Sequence, residues 1–190
     1  IDQVPETYKN SLDNYFTDLG LNKNNFFTDV SNYLSYETGQ PTHCYDANTM
    51  NGKLLFHEIE KNEEFETLLD KKITLTGKNS VFSLNDDVIN LAGIVGGKST
   101  SCSTNTKTVI VECAFFQPEA IIGKSVKYGI QSEASHKFER GVDPECHEKV
   151  LRRFIKLVSE HANIKDISII SYKSKNNPIR QLPVNVQKIN

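Results

Sequence analysis

No CxxC pair occurs in this sequence: Cys44, Cys102, Cys113 and Cys146 stand 58, 11 and 33 positions apart. Zinc ribbons and thioredoxin-type redox motifs need that close pair, so both lack support. The thiols read as reduced, as in a cytosolic protein. One metal reading stays open, a site built from His43-Cys44 and Cys146-His147. Long hydrophobic runs are also missing. None approaches the roughly 18 residues that a membrane span needs. Neither sign of charge dominates, with 22 basic and 24 acidic residues, so no strong global field draws the chain to nucleic acid or membrane. The start, Ile1-Asp2-Gln3, has no initiator Met, no basic n-region and no apolar h-region. It reads as an internal segment of a longer polypeptide and not as a signal peptide.

What remains is an ordinary globular composition, 37% hydrophobic and 24% charged. At 190 residues the chain can bury a real core as one domain or two small, packed ones. Apolar Tyr8, Leu12, Tyr15, Phe16 and Leu19 recur at helical spacing and Gly20 supplies a stop. A second helix is expected after Asp29, with Val30, Tyr33 and Leu34 inward and Gly39 at its end. Pro41 then extends the chain, which places His43 on an irregular segment. From Lys53 to Phe116 the pattern turns to short apolar runs: LLFHEIE, KKITLT, SVFSL, DVINLAGIV and KTVIVECAFF all suggest strands. PEAIIGKSVKYG and the amphipathic PECHEKVLRRFIKLVSEHAN suggest helices. KDISIISYK reads as a last strand and KNNPIRQLP as a linker. The expected fold is α+β, a central, mostly antiparallel sheet flanked by helices.

Three stretches could carry chemistry. In LAGIVGG, Gly93, Gly96 and Gly97 sit at a strand end, where they permit either a plain hairpin turn or close approach of backbone N–H groups to a ligand. Gly97-Lys98-Ser99 lacks the earlier glycine of a phosphate-binding loop. In VIVECAFF, alternation puts Ile110, Glu112 and Ala114 on one face, with Val109, Val111, Cys113 and Phe115 on the other. Glu112 is therefore either an exposed edge glutamate or a carboxylate among apolar neighbours, with a raised pKa or a donor brought to it. GIQSEASHKFERGVDPE is polar and reads as a loop between helices. Ser135 directly precedes His136 and no G-x-S-x-G elbow is present, which is poor geometry for a serine nucleophile.

GQPTHCYD, LAGIVGG, VECAFFQPEAI and SEASHKFERGVDPE, in that order, resemble the B3/B4 editing module of the bacterial phenylalanine–tRNA ligase β subunit. That family shows GQP-x-HAFD, LAG-x-MGG, LE-x-A-x-F-x-P and T-x-AS-x-RFERGVDP. The likeness covers about residues 5 to 165, and FERGVDP at 138–144 matches in full. It implies an editing domain over residues 1–173 and a linker toward a following domain over 174–190.

The resemblance also implies a function: hydrolysis of tyrosine wrongly esterified to tRNA(Phe), by positioned water. A phenylalanine pocket rejects an added hydroxyl only on the order of a hundredfold, whereas a site that welcomes the phenol can discriminate better. On the family pattern His43 and Glu112 are catalytic. Asn32, Gly93, Gly96, Gly97, Ser132 and Ala134 bind substrate: Glu112 accepts the phenolic O–H, Ala134 lines the ring pocket and the glycine amides are candidate oxyanion donors. Ser132 replaces the usual threonine and Val95 the usual Met, while Asn22-Lys23-Asn24 departs from an Arg-Pro-Ile segment. No metal or cofactor is expected in this segment. ATP and Mg²⁺ belong to the parent enzyme, in which an α subunit and the aminoacyl end of tRNA(Phe) are the partners of an (αβ)₂ heterotetramer. The expected setting is cytoplasmic, with no membrane and no DNA. The alternative is a structural, tRNA-positioning module of the same subunit without its own activity.

Overall fold

The computed structural model describes residues 1–172 and Pro183. Two helices open the chain, α1 (Asn10–Asp18) and α2 (Phe26–Thr38). α2 starts earlier than its sequence pattern suggests. Asn25 caps it by accepting from Thr28 N–H, and Asp29 lies inside it, fully buried. Asp29 tolerates burial because Tyr8 O–H and the Asn24 N–H donate to its carboxyl group. Gly39 ends α2 in the left-handed conformation that favours glycine (φ 77°).

Strands follow: β1 (His43–Asp46), β2 (Leu54–Ile59), β3 (Glu63–Glu66), β4 (Lys72–Leu75), β5 (Asn79–Leu84), β6 (Asp87–Leu91), β7 (Val95–Gly96) and β8 (Val109–Glu112). Every pair is antiparallel, so the α+β class holds. The strands divide into a β1–β8 ribbon, a β2-β5-β6-β7 sheet and a β3–β4 hairpin. Bridges Tyr45–Ser101 and Thr67–Gly97 tie these pieces together.

The closing helices are α3 (Pro118–Ile121), α4 (Lys124–Tyr128), α5 (Glu133–Phe138) and α6 (His147–Ser159). Three expectations need correction. His43 opens a strand and does not sit on an irregular segment. The polar stretch 129–145 is not all loop, since α5 forms inside it on a Ser132 cap. KDISIISYK forms no strand through Tyr172, and among the described residues no partner strand pairs with it; Lys173 and the linker reading beyond fall outside the described residues apart from Pro183.

Two cores result. One joins Val81, Leu91, Ile94, Phe116, Ile121 and Phe138 between the sheets and α3–α5. The other joins Leu12, Phe16, Phe27, Leu34, Phe154 and Leu157 of α1, α2 and α6. The β1–β8 ribbon is the seam. Cys44, Val109, Val111 and Cys113 turn one of its faces to the helical core. Its other face carries His43, Tyr45, Ile110 and Glu112, as the two-residue period of a strand requires.

Candidate active site

His43 and Glu112 are directly opposed across the ribbon, and Tyr45 lies diagonally between them, opposite Ile110. Opposed residues of an antiparallel pair stand close enough for their side chains to touch. Gln40 helps fix this register. Its buried side-chain amide donates to the carbonyls of Pro41 and Ala114, at 2.9 Å each, joining the segment before β1 to the residues after β8.

Burial sets the electrostatics. It pulls His43 down to about 4, so the imidazole is neutral at physiological pH. Its Nε2 is buried and has no hydrogen-bond partner among the described residues. The ring meets Tyr45 edge-on, centroids 4.5 Å apart. Burial pushes Glu112 up to about 7, against the lowering effect of the Tyr45 hydroxyl. That hydroxyl donates to Glu112 Oε2 at 2.6 Å and accepts from Asn90 Nδ2 at 2.8 Å. Glu112 is half-buried and paired, which removes the exposed-edge reading.

The glycine stretch packs onto this face. Gly96 pairs with Asn90, and a Cβ built on it would lie 2.3 Å from His43 Cε1 and 2.9 Å from Leu68 Cδ2. The imidazole therefore reaches its place because position 96 has no side chain. Gly97 differs. Its N–H donates to the Ile89 carbonyl at 2.7 Å, so as an oxyanion donor it is already spent, a correction to the sequence reading. Gly93 forms the turn between β6 and β7 at φ 70°, and a Cβ there would press on Ile121 and Phe116. Its surroundings are core.

Ser132 performs two tasks. Its hydroxyl accepts from Ser135 N–H to cap α5 and donates to the Ile94 carbonyl at 2.7 Å, tying α5 to the glycine turn. Ala134, partly buried, packs against the sheet-side core. Ser135 closes the capping box, and His136 beside it is exposed, so neither is arranged as a nucleophile and base. Asn32 lies exposed on α2, outside the bonded group of Tyr45, Asn90 and Glu112. Burial also raises the Cys44 thiol well above its ordinary value, which makes it inert.

Sequence reasoning missed Tyr45 and Asn90. Reading HCYD as a strand would have placed Tyr45 beside His43 by period two. Asn90 carried no signal beyond being polar within an apolar strand. Among the described residues no group of three or more His, Cys, Asp or Glu comes together to hold a metal, and no helix is long and apolar enough to cross a membrane. Two shallow cavities, of about 300 and 340 Å³, lie elsewhere, on β3–β4 and between the N-terminal segment and the end of α6.

A family model described as the B3/4 domain matches residues 4–163. The chain is similar to phenylalanine–tRNA ligase β subunits: 32% identical to that of Francisella tularensis over 173 residues, covering 90% of this chain and 22% of the relative. For Psychrobacter arcticus the figures are 33% over 165 residues, 87% and 21%. For Zymomonas mobilis they are 38% over 126 residues, 66% and 16%. The chain thus spans about a fifth of the length of the first two relatives.

Proposed function

The chain belongs to the B3/4 domain family, and from that premise we propose that it is the editing domain of a phenylalanine–tRNA ligase β subunit, hydrolysing tyrosine misattached to tRNA(Phe). The observation that carries this reading is the convergence of His43, Glu112 and Gly96 on one face of the β1–β8 ribbon. Three stretches that lie far apart in sequence meet there.

The proposed chemistry is modest. An aminoacyl ester is already activated, so orienting one water and excluding bulk solvent accomplishes much of the task. Water oxygen bonds to the ester carbonyl carbon, the bond to the tRNA ribose oxygen breaks, and tyrosine and free tRNA leave. His43 is neutral, and its Nε2 orients the water or the ester rather than acting as a strong base. Glu112 accepts the para-hydroxyl of tyrosine on the oxygen that Tyr45 does not use, while phenylalanine leaves that oxygen without a donor. Ala134 and the Ser132-anchored glycine turn shape the ring pocket. Asn32, exposed on α2, is left for contacts of the tRNA itself. No covalent intermediate and no cofactor of this chain enter the scheme; ligation with ATP and Mg²⁺ is assigned to the partner α subunit, in a cytoplasmic heterotetramer.

A second reading, a tRNA-positioning module without activity, is favoured by one feature. The Tyr45 hydroxyl already occupies Glu112 Oε2. The full ligase carrying Glu112→Ala separates the two. The editing reading expects loss of Tyr-tRNA deacylation with phenylalanylation retained. Undiminished deacylation would favour the positioning role.

A further inference from the structure

Glu112 is held by a relay of fixed direction. Asn90 Nδ2 donates to the Tyr45 oxygen at 2.8 Å, and Tyr45 O–H donates to Glu112 Oε2 at 2.6 Å. An amide nitrogen only donates, so the phenolic proton points at the carboxyl group. Tyr45 is fully buried and Asn90 nearly so, which keeps water from replacing either bond. The relay spends Oε2 as an acceptor. A proton that Glu112 takes up is then best placed on Oε1, the oxygen that does not accept from Tyr45.

From this geometry we infer that Tyr45 and Asn90 are specificity-determining positioning residues: they commit Glu112 Oε2 to an internal phenol and leave Oε1 to read the para-oxygen of the tyrosyl ester. The inference rests on the editing reading above. The relay fixes the carboxyl group opposite His43 and keeps it from turning to pair elsewhere. The titratable groups facing Glu112 are His43 and Tyr45 on β1, while the Cys44 and Cys113 thiols lie on the ribbon's other face and feel its charge only through the backbone layer. Of these Tyr45 makes the hydrogen bond, and by favouring the ionised form it keeps Oε1 an acceptor rather than a protonated donor. The motif GQP-x-HAFD has Phe at the position of Tyr45. The hydroxyl is therefore a departure from that motif, and removing it leaves a ring of the same shape.

The test uses the full ligase with Tyr45→Phe, Asn90→Ala and Glu112→Gln. Deacylation of Tyr-tRNA and Phe-tRNA is followed from pH 6 to pH 9. Tyr45→Phe should lower the kcat/KM preference for the tyrosyl ester by about tenfold, the worth of one hydrogen bond to a charged group. It should also move the midpoint of the pH profile upward, which a merely structural residue would not do. Asn90→Ala should shift both in the same direction by less, since it weakens the relay without removing it. An unchanged preference and profile in Tyr45→Phe, with Glu112→Gln inactive, overturns the inference and leaves editing standing. A Tyr45→Phe enzyme that hydrolyses Tyr-tRNA faster also overturns it, because Tyr45 would then be a competitor of the substrate. Full Tyr-tRNA hydrolysis by Glu112→Gln sinks the editing reading, and the inference with it.

Discussion

His43 and Glu112 have opposite proton linkages in one small volume. Glu112, ordinarily near 4.5, is raised to about 7 on folding. Between those values the folded state keeps a proton that the unfolded chain has lost, so stability falls as pH rises through that window. His43, ordinarily near 6.5, is lowered to about 4. Between those values the unfolded chain holds the extra proton, so stability falls as pH drops from 6.5 toward 4. The two slopes oppose each other over most of that range. Glu112→Gln removes one of them. Its stability relative to the native sequence should improve between pH 4.5 and 7, by about 1–3 kcal/mol in all. Urea unfolding at pH 5 and pH 8 checks this, and an equal offset at both would contradict it. Gly96→Ala is the steric counterpart. With a Cβ 2.3 Å from the imidazole, the ring must move. The cost should be about 1–3 kcal/mol, with Tyr-tRNA deacylation by the full ligase reduced further than the stability loss explains.

Elements show where local signals succeed and where they fail. α6 has a broad apolar stripe and forms where its periodicity says, from His147. PEAIIGKSVKYG becomes two short helices because Gly123 takes φ 78° between them. Six-residue α5 is too short for a period to show, and it depends on its cap. Ser132→Ala should therefore cost about 1 kcal/mol and also strip the Ile94 carbonyl of its donor. Ser132→Thr keeps the hydroxyl and should restore both, as thermal unfolding of the two variants would reveal. β1 has the opposite problem. Its four residues follow Gly39 and Pro41, which locally signal irregular chain, yet it pairs with β8 more than sixty residues away. KDISIISYK alternates well, but a strand is a paired object, and through Tyr172 it has no strand partner among the described residues.

The whole molecule is two cores joined at a seam. Ile121 belongs to the sheet-side core and Leu157 to the helical one, and both are fully buried. Ile121→Val should cost about 1 kcal/mol and Leu157→Ala about 2–5 kcal/mol. Because their neighbours differ, the double variant should equal the sum within about 0.5 kcal/mol. A larger coupling would mean that the ribbon transmits strain between the cores. The Cys44 and Cys113 side of the ribbon belongs to the helical core, while His43 and Glu112 look toward the sheets. The candidate site is thus supported from both sides by packed structure, away from the exposed segment that follows α6.

By itself the sequence determined what depends on neighbours along the chain: the α1, α2 and α6 helices, the strands β2, β4, β5 and β6 though not the short β3, and the alternation that sorts Glu112 from Val111. Its motifs also picked out His43, Glu112 and the glycines as the residues to watch. Tertiary structure alone decided their company. It set His43 opposite Glu112, spent the Gly97 N–H on Ile89, placed Gly96 against the imidazole and put the Tyr45 hydroxyl on the carboxylate. The physical reason is that each of these is a contact between segments distant in sequence, fixed by ribbon register and core packing, and local propensity carries no record of either.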